Sequence, residues 1–414
     1  MLRAIKIRLY PNKEQATMFN KLLGCYRVVY NQCLARKIES YKNNGKSENL
    51  STLGKFVHHE LLKNDNFIWL REQNTKVLKE AVRDMLTAYK NFFERHTGYP
   101  KFKSKHDNKQ SCRFELGAIS KRNNYTTYHI SLANIRNVKF RCSEKYAQYL
   151  QKNHDNIRQA TLTKLPCGEY CLSILVDGDL THKVKETNTA VGIDLGIKDF
   201  VVTSDGEVFD NLHFKKTESD KIKKLQRQLS RKEKGSKNRN KARIKLAKLY
   251  KKINDKKQYY LHAVSNSLID ENQVICMEDL NVKGMVKNHN LAESICEMNF
   301  GAFRRILEYK ARWYNRKIVF VNRFYPSSKT CHNCGYVNKG LKLSDRQWVC
   351  PQCGEVIERD YNAALNILAE GLRIIGSSTT DFTLVDYPTM DDRLSNEALK
   401  SSDRLKQEVN NEQV

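Results

Sequence analysis

Apolar and charged residues alternate along the opening strand-like run, where Leu2, Ala4, Ile5, Ile7 and Leu9 interleave with Arg3, Lys6 and Arg8. A period of two is that of a strand with one buried face, and Tyr10-Pro11-Asn12 stops it. From Lys13 to Arg95 the period lengthens. Phe19, Leu22, Leu23, Tyr26, Val29, Tyr30 and Cys33 recur at steps of three and four, as do Val82, Met85, Leu86, Tyr89 and Phe93. That spacing predicts amphipathic helices. The basic, turn-rich stretch Gly98-Tyr99-Pro100-Lys101-Phe102-Lys103-Ser104-Lys105 marks a boundary. Short alternating runs follow over 110–186: SCRFEL, YTTYHISL, NVKFRC, QATLTKL and YCLSILV. They predict a small barrel or sandwich into which the first strand pairs, with the helical segment as an insertion.

After a polar linker, Lys183 to Thr189, the pattern changes again. Continuous apolar runs at 190–193, 200–203, 274–277 and 318–321 predict buried strands, and 300–314 a helix. Strands and helices in alternation imply an α/β sheet. Residues 215–257 are helical in pattern but broken near Gly235-Ser236. From about Ile374 the chain is polar, acidic-leaning and aperiodic, which predicts a mobile tail. With 414 residues, two to three folded units are expected.

Charge narrows the function. Lys and Arg number 73 against 46 Asp and Glu, a net charge of +27. Such an excess repels itself unless a polyanion neutralises it, and nucleic acid is the commonest such partner. A basic protein of the ribosomal or chromatin sort has the same composition. Residues 215–257 carry 19 Lys/Arg and 4 Asp/Glu, with Leu225, Leu229, Leu246, Leu249 and Ile253 as an apolar stripe. A solvated hairpin is the plain reading of a charge run, but an excess this one-sided favours a face that tracks phosphates. Candidate nucleic-acid contacts are Arg27, Lys101, Lys103, Lys105, Lys224, Arg227, Arg231, Lys237, Arg239, Lys329 and Arg346. Tyr26 beside Arg27 reads as packing, whereas Phe102 between Lys101 and Lys103 is open to base stacking. There is no signal-peptide pattern and no long apolar run, so a cytoplasmic location without membrane insertion is expected.

Of 12 cysteines, four form two tight pairs, Cys331/Cys334 and Cys350/Cys353, fifteen residues apart. Two CxxC knuckles at this spacing deliver four thiolates to a tetrahedral zinc. The Gly after each second Cys lets the knuckle turn. A redox CxxC is the rival, made remote by the matched second pair, and His332 is left as an exposed bystander. The other eight cysteines lie in apolar or mixed patterns, as expected of a reducing compartment.

Three carboxylates stand out. Asp194 ends the apolar run in VGIDLGIKDF, Glu278 ends VICMEDL, and Asp360 opens the helical DYNAALNIL. Singly, each has a plain reading: a turn residue, a rim charge, a helix N-cap. Buried together at one end of a sheet they would repel unless cations lay between them. Two Mg²⁺ or Mn²⁺ ions about 4 Å apart would activate water and stabilise the leaving oxygen of a phosphodiester.

GIDLGIKDFVVTSDG, EDLNVKGM and the cysteine pairs followed by ERDYNAALNIL resemble the three RuvC motifs of the TnpB (OrfB) family of transposon-encoded RNA-guided nucleases, relatives of the small type V CRISPR effectors. IRLYPNKEQ…LLGCYRVVYNQCL, GYPKFKSK and LQRQLSRKEKGSKNRNKAR resemble other parts of that family, so the likeness spans nearly residues 1–372. It implies a wedge-like β-barrel over 1–12 and 96–186 and a helical recognition lobe over 13–95. It further implies an RNase H-like RuvC core over 187–324 and 358–373, with 215–270 as a basic helical insertion. Residues 325–357 would form a zinc ribbon, and 374–414 a flexible tail with no transferable motif. By motif, Asp194, Glu278 and Asp360 would be the catalytic triad, holding Mg²⁺ or Mn²⁺, and Cys331, Cys334, Cys350 and Cys353 the zinc ligands. Where the family has Asp two residues before its last catalytic Asp, this chain has Glu358, which keeps the charge. The implied partners are a guide RNA from the element's own end, target double-stranded DNA and a separate transposase of the same element. A nuclease-inactive RNA-guided repressor and a transposase acting directly on DNA ends are the competing functions.

Overall fold

The structure, a computed structural model, describes residues 2–107, 109–178, 184–289, 291–342 and 344–376. The expected tail from 377 onward, and Lys183 of the expected linker, lie outside them. The chain forms two units: Met1–Leu180 with Gly235–Lys248, and Thr181–Lys234 with Leu249–Val414.

The first unit begins with β1 (Leu2–Tyr10), α1 (Lys13–Asn44), α2 (Leu50–Lys55) and α3 (Thr75–Arg95). It continues with β2 (Gln110–Glu115), β3 (His129–Leu132), β4 (Ile135–Arg141), α4 (Glu144–Lys152), β5 (Ile157–Lys164) and β6 (Tyr170–Asp177). The six strands form one antiparallel sheet in the order β2-β5-β6-β1-β4-β3. Ile119, just past β2, bridges Leu132 of β3, and Ala133 donates its N–H to the Ala118 carbonyl at 2.7 Å. The segment following one edge strand is thereby tied to the other edge strand, which leaves fewer ladder groups unpaired. In β1 the buried face is Arg3, Ile5, Ile7 and Leu9, while Leu2 and Ala4 face out.

Asn12 and Gln15 form a capping box at the start of α1, and the Gln15 amide also donates to the Arg136 carbonyl at 2.9 Å. All seven apolar positions read from the α1 periodicity are buried. In α3 Val82, Met85 and Tyr89 are buried, but Phe93 is 70% exposed. Helix and strand residues belong to one hydrophobic cluster, so 13–95 shares a core with the sheet.

The second unit opens with β7 (Ala190–Asp194), β8 (Asp199–Thr203), β9 (Val208–Asp210), α5 (Phe214–Thr217) and α6 (Ser219–Ser230). The chain breaks at Gly235, whose φ is +89°, before the 35-residue α7 (Lys237–Glu271). The Gly235–Lys248 stretch groups with the first unit. Leu225, Leu229, Leu246 and Leu249 are half-buried and Ile253 is buried. Then come β10 (Val274–Glu278), α8 (Val282–Met285), α9 (Ala292–Met298), α10 (Phe300–Tyr314), β11 (Lys317–Val321), β12 (Gln347–Val349), β13 (Val356–Glu358) and α11 (Arg359–Ile375).

Five of these strands form a sheet in the order β11-β10-β7-β8-β9. The first three are mutually parallel, β8 is antiparallel to β7, and β9 is antiparallel to β8. Along β10 the side chains alternate between layers. Ile275 and Met277 join Val264, Leu268, Phe303 and Leu307 of α7 and α10, whereas Val274 and Cys276 join Ile367 and Leu368 of α11. Burial on both faces explains why these strands read as unbroken apolar runs. Among the described residues no helix is long and apolar enough to cross a membrane.

Candidate metal centres

In the parallel pair β7–β10, Ile193 lies beside Met277. Both point to the layer of α7 and α10. By the pleat, the next residues on each strand, Asp194 and Glu278, turn to the opposite face. That face is covered by α11, whose first turn holds Asp360. The fold therefore brings the three predicted carboxylates to one corner of the sheet.

The electrostatics report the same proximity. Asp194 is pushed up to about 8, first by burial and then by the charges of Glu278 and Asp360, with Arg359 opposing. Glu278 is raised by burial, although the Ser327 hydroxyl donates to its Oε1 at 2.5 Å. Arg346 approaches Asp360 Oδ2 at 3.2 Å. The three do not collapse to a single point. Among the described residues the one group of three or more His, Cys, Asp or Glu whose donor atoms all lie within 4.8 Å of one another is the four cysteines. Carboxylates sharing a corner repel, and a site for two cations about 4 Å apart asks for a wider spread than one ion does. The donor set fits hard divalent cations, which take oxygen ligands. Asp360 is not the helix cap: Glu358 is, accepting the Tyr361 N–H at 2.6 Å. The neighbouring acid Asp279 is a different case. Arg304 donates to it at 2.5 Å and Arg323 also pairs with it, and both hold its carboxyl below the usual range.

The four cysteines sit on two knuckles of matching geometry. Gly335 donates to the Cys331 carbonyl and Gly354 to the Cys350 carbonyl, each at 2.9 Å. Both glycines lie at positive φ, +78° and +75°. Four thiolates 2.3 Å from a tetrahedral zinc would stand about 3.8 Å apart. Here Cys331 and Cys353 sulfurs are 3.7 Å apart and those of Cys334 and Cys350 3.5 Å. Donor set and spacing therefore fit zinc, with Trp348 and Ile357 of the β12–β13 hairpin packed against Cys331 and Cys350. His332 is exposed as expected but is held, its backbone N–H and Nδ1 lying 3.0 and 3.1 Å from Asn362 Oδ1.

The basic candidates divide. Lys101, Lys105, Lys224, Arg227, Arg231, Lys237 and Lys329 are exposed, and Arg27 and Arg239 half-buried. Lys103 departs from the expectation of a nucleic-acid contact. Its ammonium lies 3.9 Å from the Tyr30 ring centre and 5.5 Å from that of Tyr26, and burial lowers its pKa. Its backbone is pinned by Asn31 on both N–H and carbonyl, so the side chain is drawn onto the aromatic face instead of solvent. Arg346 is exposed but is already paired with Asp360. Tyr26 is buried and donates to Asp84 at 2.6 Å, as packing predicts. Sequence reasoning missed Phe324, which is 86% exposed just past β11. The turn-forming RFYP segment is its only signal.

Comparisons with known proteins follow the same lines. Family models match residues 171–289 (described as a probable transposase), 1–46 (a helix-turn-helix domain) and 300–367 (a Cas12f1-like TNB domain). Within the helix-turn-helix match, residues 2–44 fold here as a strand and one uninterrupted helix. A Streptomyces pristinaespiralis protein named "Putative RNA-guided DNA endonuclease" is 35% identical over 371 residues, 89% of each chain. One from Escherichia coli (strain K12), with the same name and the suffix InsQ, is 28% identical over 90% of this chain and 93% of its own. Among solved structures, Cas12f1 in complex with sgRNA and target DNA has a TM-score of 0.53 at 18% identity, covering 86% of this chain and 83% of that one. The mini-RNA-guided endonuclease CRISPR-Cas phi3 has 0.50 at 10%, covering 89% and 92%. The likeness to these two is one of fold.

Proposed function

Because the chain belongs to the OrfB/TnpB family, we propose that it is the RNA-guided DNA endonuclease of a transposable element, cutting DNA beside a short flanking motif. The observation that carries this reading is the arrangement of β7, β10 and α11, which brings Asp194, Glu278 and Asp360 to one corner of the second unit's sheet, where the latter two charges act on Asp194. Three antiparallel strands continued by two parallel ones, with helices on both faces, support an RNase H-like core of the RuvC type. The curled six-stranded sheet supports the wedge-like barrel, and residues 325–357 the zinc ribbon.

In this reading Asp194, Glu278 and Asp360 hold Mg²⁺ or Mn²⁺, which supplies a lowered water pKa and charge neutralisation at the phosphodiester. Binding would require all three carboxylates ionised. The Ser327 hydroxyl engages Glu278 Oε1, and the other carboxylate oxygen would meet the ion. Arg346, paired with Asp360, would meet the non-bridging oxygens of the scissile phosphate. The exposed lysines and arginines of α6 and of the first part of α7 receive RNA or DNA backbone, and exposed Phe102 with Lys101 and Lys105 a base and its phosphates. Guide pairing supplies most of the sequence specificity.

The test is to purify the protein from cells carrying its own locus, sequence the bound RNA, and offer matching DNA with Mg²⁺. Guided cutting that Asp194→Ala, Glu278→Ala or Asp360→Ala abolishes, with DNA binding retained, is expected. Bound RNA and tight DNA binding without cutting would make the protein a repressor. Cutting or joining of DNA with no RNA present would make it a self-sufficient transposase.

A further inference from the structure

We propose that Ser327 is a positioning residue for Glu278, and that the first zinc knuckle sets Ser327 through Asn366 and Asn362. This rests on the reading that Glu278 is a ligand of the divalent cation.

The chain of contacts is short and almost wholly buried. Ser327, 5% exposed, donates its hydroxyl to Glu278 Oε1 at 2.5 Å. Its own carbonyl accepts from Asn366 Nδ2 at 2.7 Å and from Asn362 Nδ2 at 3.4 Å. The same two amides donate to the Thr330 carbonyl, at 2.6 and 2.7 Å, one residue before the zinc-site Cys331. Asn362 Oδ1 then accepts the backbone N–H of His332 inside the knuckle at 3.0 Å.

Neither asparagine suits its position on local grounds. Asn is a weak helix former, and a buried amide is costly unless its donors and acceptor are met. Both stand in the first two turns of α11, the helix that Asp360 opens, and both spend their amides on the 327–332 segment. An apolar residue of similar volume would fill the space without that cost. What the amides add is orientation. They fix the carbonyls at 327 and 330, and thereby the rotamer range from which the Ser327 hydroxyl reaches Glu278. A carboxylate with one oxygen so engaged presents the other in a set direction, which is how an outer hydrogen bond tunes a metal ligand. Zinc closes the knuckle that anchors the far end. The zinc ribbon is therefore part of the device that aims a carboxylate of the other metal site.

The experiment measures Mn²⁺ binding to the full-length, zinc-loaded protein by calorimetric titration without nucleic acid, with zinc content and melting temperature taken in parallel. Ser327→Ala is expected to weaken Mn²⁺ binding about tenfold at unchanged zinc content, and Ser327→Thr to restore it. Asn366→Ser, which withdraws the amide from the Ser327 carbonyl, is expected to weaken Mn²⁺ binding in the same direction. It keeps the inference testable should Ser327→Ala fail to fold. Wild-type Mn²⁺ binding in both variants, set against its loss in Glu278→Ala, would overturn the positioning role alone. Unchanged binding in Glu278→Ala would instead remove the ligand reading, and the inference with it.

Discussion

At the scale of single residues, what a side chain does depends on which neighbours the fold brings to it. Lys310, 5% exposed, donates to the His262 carbonyl at 2.9 Å, Ser265 Oγ at 2.7 Å and Asn266 Oδ1 at 2.5 Å. Burial lowers it to about 7, and burial together with the Lys310 charge lowers His262 to about 4. His262 has an ordinary value of 6.5, so its stabilising contribution is present above that pH and lost as pH falls through about 4. Replacing Lys310 with Met removes the neighbouring charge but not the burial. The His262 imidazole should then titrate part of the way back toward 6.5, which an NMR titration of its ring protons would follow. An unmoved His262 would assign its whole shift to burial. Nothing in the spacing of the sequence marks this pair, since 48 residues separate its members. The same holds for Lys103, which reads as a loop cation and turns onto Tyr30.

At the scale of elements, close approach is written in small residues. A Cβ at Gly192 of β7 would collide with the Ala364 carbonyl and lie 2.7 Å from the Leu368 nitrogen of α11. Backbone cannot yield as a flexible side chain does, so Gly192→Ala must push α11 off the sheet. A loss of about 3 kcal/mol or more is expected, since this exceeds ordinary overpacking of about 1–3 kcal/mol, and denaturant unfolding measures it. An unchanged midpoint would mean that α11 adjusts freely. The basic helices make a second prediction. Exposed Lys223, Lys224 and Arg227 lie on α6. Changing all three to Glu should weaken nucleic-acid binding and flatten its dependence on salt, by about one unit of log–log slope for each phosphate that is no longer neutralised. Parallel titrations at two salt concentrations would show it. Equal slopes would make the face a solvated one.

At the scale of the whole molecule, two units carry separate hydrophobic clusters, one built from α1, α3 and the six-stranded sheet, the other from α7, α10 and the five-stranded sheet. Separate cores allow separate unfolding. Calorimetry of the protein without nucleic acid should show more than one transition, Leu34→Ala moving one and Phe303→Ala another. Both leucine and phenylalanine are fully buried in their respective clusters, so each truncation should cost roughly 3–5 kcal/mol. A single transition shifted by both would join the units into one cooperative body.

The sequence by itself determined most elements and marked the four cysteines and three carboxylates that the fold gathers. Its periods of two and 3.6 located β1, α1, α3 and the strands β2 to β8, β10 and β11, because burial of one or both faces leaves a pattern in the chain. The cysteine cluster was legible because a four-thiolate site made of two turns needs fixed local spacing. The short α4 and β9 escaped because one or two turns or pairs bury too few residues to impose a period. Only the tertiary structure decided which acid faces which layer: Asp194 and Glu278 toward Asp360, Asp279 toward Arg304 and Arg323. It also replaced Asp360 by Glu358 as the cap, joined the helices of 13–95 to the sheet in one core, and linked Ser327 to the first cysteine knuckle through two asparagines. Those outcomes depend on strand register and helix placement, which bring together residues from about 25 to more than 160 positions apart, and no local pattern encodes a meeting over such distances.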